Sequence, residues 1–427
     1  MDKILHSARH LRGEITVPGD KSISHRAVLI GSLSEGTTEV AGFLNAADPR
    51  STLECVQALG IETAITKSSL HIVGRGLHGY RQPGEMLNAG NSGTTIRLLS
   101  GILSGQRFPT QISGDQYLLR RPMKRIIDPL TEMGAHIVGT DKFTAPLKIF
   151  PSEKLHGITY ELPIPSAQVK SAILFAGLFA EGLTTVEESQ GSRDHTERML
   201  GLTSARTNAK TSVSVVGGKQ ISAKHFFIPG DPSSAAFFIV AGLITQNSEI
   251  LIKNVGINPT RTGFLDVLRS MGGNVSTENE RQIGGEPIGD ILVKSSVLRS
   301  NMTLEGSIIP NIIDEIPILA VAAAFADGTF EVRGAFELRN KESDRIGAVC
   351  ENLSLMGVEV DEREDGFAFS SKNTLIPTSF DSYGDHRIAM AFGVAATGLQ
   401  GESTVKDADC VDISFPSFWE TLHTLAN

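Results

Sequence analysis

The sequence predicts an α/β fold of two similar domains, each built from three copies of one mixed helix–strand unit. Three observations carry this. The chain has 427 residues, and single hydrophobic cores stop growing well short of that length. A helix–turn–strand pattern recurs six times, and two segments half a chain apart match closely.

In each repeat an apolar, helix-like run ends at a turn and a short β-rich segment follows. The turns and strands read SEGTTEV (from Ser34), SGQRFPTQI (Ser104), AEGLTTVEE (Ala180), TQNSEILI (Thr245), ADGTFEV (Ala326) and LQGESTV (Leu399). Gly36, Gly105, Gly182, Asn247, Gly328 and Gly401 stand at the turns, residue types that tolerate the left-handed backbone closing a helix. A second helix ends in a common signature four times, ALGIE (Ala58), EMGAHI (Glu132), SMGGNV (Ser270) and LMGVEV (Leu355). An apolar residue, a glycine and then alternating apolar positions read as helix, cap and strand. The segment SRDHTERMLGLTSART (from Ser192) starts such a helix but lacks the signature, and the last repeat runs off the C-terminus.

The internal match pairs VPGDKSISHRAVLIGSL (from Val17) with IPGDPSSAAFFIVAGLI (from Ile228). Both read as strand, PGD turn and Ser-rich helix start. They place one three-unit domain over 21–228 and a second over 1–20 and 229–427. The chain is expected to cross between them near 20–21 and 228–230, where two crossings at a narrow waist would form a hinge.

Composition narrows the function. Hydrophobic residues are 40% and charged residues 20% of the chain, an ordinary globular balance. The net charge of −9 argues against a general nucleic-acid or membrane-surface binder. Cys55, Cys350 and Cys410 are too scattered for a disulfide framework or a CxxC metal site. The opening MDKILHSARHLRG lacks the apolar core of a secretory signal. The longest apolar run, Ile316 to Ala326, is about half of what spans a bilayer. A cytoplasmic protein is expected.

The unusual residues cluster just before the first helix of each unit: GDKSISHR (Gly19), NAGNSGTTIR (Asn88), PSAQVKS (Pro165), GDPSSA (Gly230), IIDEIP (Ile312) and YGDHR (Tyr383). Helix starts present unpaired N–H groups and the positive end of the dipole, which attract anions. Small residues such as Ser22, Gly93 and Ser166 would admit a phosphate or carboxylate to the backbone, although Ser22 and Ser166 read equally well as N-caps. Similar repeats would turn these starts to one side and gather anion sites in a cleft between the domains.

Lys21 and Arg26 flank the first helix start, and RRPMKR (from Arg120) opens a helix with Pro122 near its first position. NKESDR (from Asn340) and GDHR (from Gly384) add Arg345 and Arg387. Arginine grips carboxylate and phosphate in bidentate fashion. A cation at a helix N-terminus opposes the dipole, so Arg121 and Arg345 at helix starts suggest a bound anion that relieves the conflict. A single such residue reads as solvated surface; the group at helix starts reads as a site.

Asp314 precedes Pro317 and an apolar helix. It reads as an N-cap or as a carboxylate whose apolar flanks raise its pKa, fit to act as a base, with Glu315 a first-turn neighbour. Glu342 reads equally as an i+3 partner of Arg345 or as a catalytic residue. His25, His195 and His386 show no metal spacing and read as structural. NAGNSGT lacks the GxxxxGK[ST] pattern of a Walker nucleotide site.

Taken together, VPGDKSISHR, NAGNSGTTIR, RRPM, LPIPSAQVKSA, SRDHTE, NKESDR and YGDHRIAM, in order from about Arg12 to Phe418, resemble the 3-phosphoshikimate 1-carboxyvinyltransferase (EPSP synthase) family of enolpyruvyl transferases. The resemblance implies two domains of three βαβαββ units with the helices inside, an inside-out α/β barrel of the enolpyruvyl transferase type. It implies transfer of the enolpyruvyl group of phosphoenolpyruvate to the 5-hydroxyl of shikimate 3-phosphate, on the route to chorismate and the aromatic amino acids, with no metal or organic cofactor.

By motif, Lys21, Ser22, Arg26, Ser166, Ala167 through its backbone, Gln168, Arg193, Asp314 and Lys341 would hold shikimate 3-phosphate. Lys21, Asn91, Gly93, Arg121, Gln168, Arg345 and Arg387 would hold phosphoenolpyruvate. Asp314 would accept the proton of the 5-hydroxyl, and Glu342, assisted by Lys21, would protonate the methylene carbon. Many members carry Tyr where this chain has Arg193, and Lys where it has Ile413. A monomer is the family expectation, with small-molecule substrates and neither nucleic acid nor membrane as partner. The sister enzyme acting on UDP-N-acetylglucosamine usually carries a reactive Cys where this chain reads SGDQYLLRRP. A non-catalytic, two-domain anion-binding protein is a rival of another class, but it would not call for both Asp314 and Glu342 among cations.

Overall fold

The computed structural model describes residues 1–67, 69–207, 210–371 and 374–427. Six of its helices begin at Ser or Asp residues whose side chains cap them. In chain order the helices are α1 (Lys21–Leu33), α2 (Ala47–Ala58), α3 (Gly93–Leu103), α4 (Lys124–Glu132), α5 (Ala167–Gly177), α6 (His195–Leu200), α7 (Pro232–Ile244), α8 (Gly263–Ser270), α9 (Ile309–Ile312), α10 (Ile316–Ala324), α11 (Arg345–Leu355), α12 (His386–Gly398) and α13 (Phe418–Ala426). Asp20, Ser92, Ser166, Asp231, Asp344 and Asp385 accept backbone N–H bonds at the starts of α1, α3, α5, α7, α11 and α12, each satisfying an otherwise orphaned donor.

The four signature glycines, Gly60, Gly134, Gly272 and Gly357, have φ between +87° and +94° and follow directly on the C-caps of α2, α4, α8 and α11. A side chain there would be strained, so glycine is what stops the helix and turns it into the hairpin. The segment lacking the signature stops the same way, since Gly201 caps α6 at φ +68°. Of the six first-helix turns, five have positive φ and Gly105 does not. Its place is set by packing instead: a Cβ there would stand 2.2 Å from the Phe179 ring.

The chain divides into two units. The first comprises Gly19–Ile228 with the turn Ile283–Glu286; the second comprises Met1–Pro18, Pro229–Gln282 and Pro287–Asn427. Each carries three separate sheets. In the first unit Thr159–Glu161 pairs parallel with Leu183–Glu188, which pairs antiparallel with Thr211–Val216, itself the partner of Ser204–Arg206. The order strand, α5, strand, α6, hairpin is thus one βαβαββ unit, and Leu87–Asn88 begins another around α3 and α4. In the remaining unit His225–Phe227 returns from the far end of the segment to pair parallel with Ser34–Ala41. The second unit has full copies around α7 and α8 and around α10 and α11; in its third sheet Lys3–His6 pairs with Glu402–Lys406.

The first helix of each repeat is apolar nearly all round, as a helix enclosed on every side must be. Every residue from Ile23 to Leu33 is buried in α1, and likewise Val169–Gly177 in α5, Pro232–Leu243 in α7 and all of α10. Two hydrophobic cores result, one per unit. Among the described residues no single helix is long and apolar enough to cross a membrane.

Candidate active site

In the first unit, α1 opens with Lys21, whose Nζ lies 3.0 Å from Asp48 Oδ2 in the first turn of α2. Ser22 is not the cap of α1; Asp20 accepts from Ile23 N at 2.8 Å, and Ser22 instead offers its carbonyl to Arg26 Nη1 at 2.9 Å. Arg26 is buried, donating Nε to Thr196 Oγ1 (2.6 Å) and Nη2 to Ser171 Oγ (2.8 Å). Burial pulls its pKa down to about 10, against the opposing field of Glu197. His25 is held neutral, its pKa pushed to about 3 by burial. Its Nδ1 meets Thr52 Oγ1 at 2.7 Å, and Thr52 meets Thr95 at 2.7 Å, so one hydroxyl chain ties α1, α2 and α3.

The start of α3 gathers a second group. Arg121 Nη2 donates to Asn91 Oδ1 at 2.6 Å, and Asn91 Nδ2 donates to Asp115 Oδ2 at 2.9 Å. Arg97 Nη1 donates to Gln168 Oε1 at 2.6 Å, and Gln168 Nε2 to Thr94 Oγ1 at 3.0 Å. A Cβ on Gly93 would sit 2.8 Å from Arg97 Nη1 and 3.1 Å from Arg121 Nη1. Glycine is therefore what lets two guanidinium groups close over the first turn of α3. Ser166 caps α5, accepting from Val169 N at 3.4 Å, and Ala167 and Gln168 are its first helical residues. Arg193 stands in the segment before α6.

One expectation fails here. Pro122 is not at the first position of a helix: α4 starts at Lys124 after an uncapped Met123. Arg121 closes the short 3-10 turn Leu118–Arg120, so no helix dipole opposes it. Its partner Asn91 fixes it instead.

The second unit holds a compact ionic cluster. Arg345, the first residue of α11, is 1% exposed. Its Nε lies 2.8 Å from Asp385 Oδ2, its Nη1 3.2 Å from Asp314 Oδ1 and its Nη2 2.5 Å from Glu342 Oε2. Burial alone would lower the guanidinium pKa, but Asp385, Glu342 and Asp314 outweigh it and hold the group well above its usual range. Asp314 also meets Lys341 Nζ at 3.4 Å and Arg387 Nη2 at 3.7 Å.

Two corrections follow. The cap of α10 is Glu315 and not Asp314, so the Asp314 side chain is available to the cluster. Its surroundings are three cations rather than the apolar pocket its flanks suggest, because Ile312 and Ile316 turn into the core. The dipole conflict at Arg345 is met by these carboxylates within the protein.

Three cations and three carboxylates make the second-unit cluster internally balanced. The sequence reading missed Asp48, Asp115, Arg97 and Asp385 as members of the site. Arg97 and Asp385 lie inside quoted motifs, whereas nothing local singles out Asp48 or Asp115. Among the described residues no group of three or more His, Cys, Asp or Glu is disposed to hold a metal ion. The three cysteines are free, and burial pushes each thiol up to about 12, the opposite of a reactive thiolate.

Comparison with known proteins gives one answer. The family EPSP synthase (3-phosphoshikimate 1-carboxyvinyltransferase) matches residues 5–422. A 3-phosphoshikimate 1-carboxyvinyltransferase of Geobacter sulfurreducens is 47% identical over 423 residues, covering 99% of this chain and 98% of its own. One of Pelobacter propionicus is 50% identical over 414 residues, covering 96% of each. The solved structure of an EPSP synthase from Acinetobacter baumannii superposes with a TM-score of 0.88 at 43% identity, covering 99% of this chain and 98% of that one.

Proposed function

The chain belongs to the EPSP synthase (3-phosphoshikimate 1-carboxyvinyltransferase) family and transfers the enolpyruvyl group of phosphoenolpyruvate to shikimate 3-phosphate, and we propose that it does so through the clusters just described. The observation that carries the proposal is that Asp314 and Glu342 are both held by one buried arginine. An enol phosphate is electron-rich, so its methylene carbon must gain a proton while the 5-hydroxyl attacks the neighbouring carbon. That calls for a base and an acid acting on one ligand pair.

Asp314 takes the hydroxyl proton as the new C–O bond forms. Glu342, with Lys21, delivers a proton to the methylene carbon, which becomes a methyl group. The tetrahedral intermediate then collapses with the same groups reversing roles: Glu342 takes a proton back from the methyl group, the bond to the phosphate oxygen breaks, and phosphate departs with the proton that Asp314 held. Charge on the reacting groups is met by fixed cations. Arg345, Arg387, Arg121, Asn91, Gly93, Gln168 and Lys21 hold phosphoenolpyruvate. Lys21, Ser22, Arg26, Ser166, Ala167, Gln168, Arg193, Asp314 and Lys341 hold the acceptor. We place the reaction in the cytoplasm, carried out by a monomer.

The deciding assay is phosphate release from phosphoenolpyruvate, with shikimate 3-phosphate as acceptor and UDP-N-acetylglucosamine in parallel. Release with shikimate 3-phosphate alone is expected; release with the nucleotide sugar alone overturns the acceptor. The unreactive thiols speak against that sister activity.

Gly93→Ala gives a finer check. Its methyl group must displace Arg97 Nη1 and crowd Arg121 Nη1. Both are flexible side-chain ends, so stability is expected to hold while the KM for phosphoenolpyruvate rises about tenfold. Steady-state kinetics with each substrate varied reads this directly, and an unchanged KM removes Gly93 from the site.

A further inference from the structure

Lys170 is a buried lysine with no assigned part in the reaction. It lies on α5, four residues after the Ser166 cap. Its Nζ is 2.7 Å from Glu188 Oε2 and 2.7 Å from Glu197 Oε1, with the three side chains 2%, 2% and 5% exposed. It also donates to the Ser192 carbonyl at 3.5 Å. Glu188 in turn accepts from Ser192 N at 3.3 Å and from the Ser192 hydroxyl. One ammonium group thus ties α5 to the end of the strand Leu183–Glu188 and to α6. Residues 189–194 run between those last two anchors, and they carry Arg193.

Arg26 is fixed by the neighbours of the same residues. Two of its donors, Nε and Nη2, go to Thr196 and Ser171, which adjoin Glu197 and Lys170 in sequence. Ser171 and Thr196 share a bond of 2.7 Å, and Ser171 donates to the Ala167 carbonyl at 2.5 Å. Lys170 with two carboxylates leaves one negative charge over, and Glu197 is the strongest countercharge that Arg26 meets in its burial. The second oxygen of Glu197, Oε2, is buried without a hydrogen-bond partner among the described residues. The carboxylate is therefore held on one side by Lys170 and left to act on Arg26 by its field.

Buried ion clusters often stabilise a fold no more than apolar residues of the same size would, and fixing one arrangement is a use attested for some of them. We propose that Lys170 and Glu197 are positioning residues for the phosphorylated acceptor. They lock Arg26 and the Arg193 segment against the start of α5, where Ser166, Ala167 and Gln168 lie, without touching the ligand. The inference rests on the reading that Arg26, Arg193 and Ser166 bind shikimate 3-phosphate.

The test compares Glu197→Gln, Lys170→Arg and Lys170→Met with Arg193→Ala, by steady-state kinetics in each substrate and by thermal unfolding. Glu197→Gln leaves Lys170 and Glu188 as a balanced pair, so it folds even where Lys170→Met does not. In Glu197→Gln the KM for shikimate 3-phosphate is expected to rise about tenfold, with kcat and the KM for phosphoenolpyruvate within about twofold. Lys170→Arg is expected to stay nearer the wild type than Lys170→Met. A lowered unfolding temperature with an unchanged acceptor KM in Glu197→Gln, beside a raised one in Arg193→Ala, overturns the positioning role alone. An acceptor KM unchanged in both overturns the acceptor reading and the positioning role with it.

Discussion

Asp314→Ala is expected to lose on the order of 10²–10⁴ in kcat, the usual contribution of a placed acid or base, while still binding shikimate 3-phosphate. Binding survives because Asp314 is one of several groups assigned to the acceptor, and its removal leaves Lys341, Arg345 and Arg387 in place. The proton of the attacking hydroxyl loses its acceptor, so the loss falls on turnover. Glu342→Gln should lose a similar factor for the complementary reason: the amide keeps the shape and the contact with Arg345 but cannot cycle a proton at the methylene carbon. Exchange of solvent deuterium into that carbon separates the two roles. Glu342→Gln is expected to abolish exchange as well as turnover. Near-normal turnover in either variant removes that residue from the chemistry.

Much of this site can be read from sequence because its residues sit at helix starts, where local chemistry is explicit. Ser166 reads as the cap that it is, although at α1 the cap is Asp20 and not Ser22, and the glycine after four of the second helices announces their ends. The turn and strand after each first helix are what count six repeats. What stays hidden is pairing across repeats. Nothing near Asp314 in sequence says that Arg345, 31 residues on, and Arg387, 73 residues on, will surround it; the apolar flanks suggest the reverse. Nor does the RRPM motif show that Arg121 is set by Asn91 rather than by a helix. Local sequence fixes the backbone of each helix start, whereas the charge balance between starts depends on which repeats become neighbours. The Lys170 cluster is hidden for the same reason: VKSA reads as an apolar helix with one stray cation until Glu188 and Glu197 close on it.

Arg345→Met is expected to destabilise the second unit by about 3–5 kcal/mol, the usual consequence of removing one partner from a buried ion cluster. The loss should depend on pH in a direction that identifies its cause. In the wild type, burial would push the Asp385 carboxyl up, but Arg345 outweighs burial and holds it below its ordinary 3.8. A depressed carboxylate contributes stability that is present above the unfolded value and is lost as pH falls through the folded one. Without Arg345 the burial and the repulsion of Glu342 remain while the largest opposing charge is gone, and although His386, Ser343 and the Arg387 N–H still favour the carboxylate, the Asp385 pKa is expected to rise above its ordinary value. Its contribution then changes sign: it destabilises at neutral pH and is relieved as the carboxyl gains a proton on acidification. The gap between wild type and variant is therefore expected to be widest near neutrality and to narrow toward about pH 4.5. Urea unfolding across that range measures it. Adding Asp385→Asn to Arg345→Met should recover part of the loss at neutral pH, since the second change removes the charge that the first left unpaired. A gap that does not vary with pH, or a double variant no more stable than Arg345→Met, assigns the stability of this helix start to packing rather than to its charges.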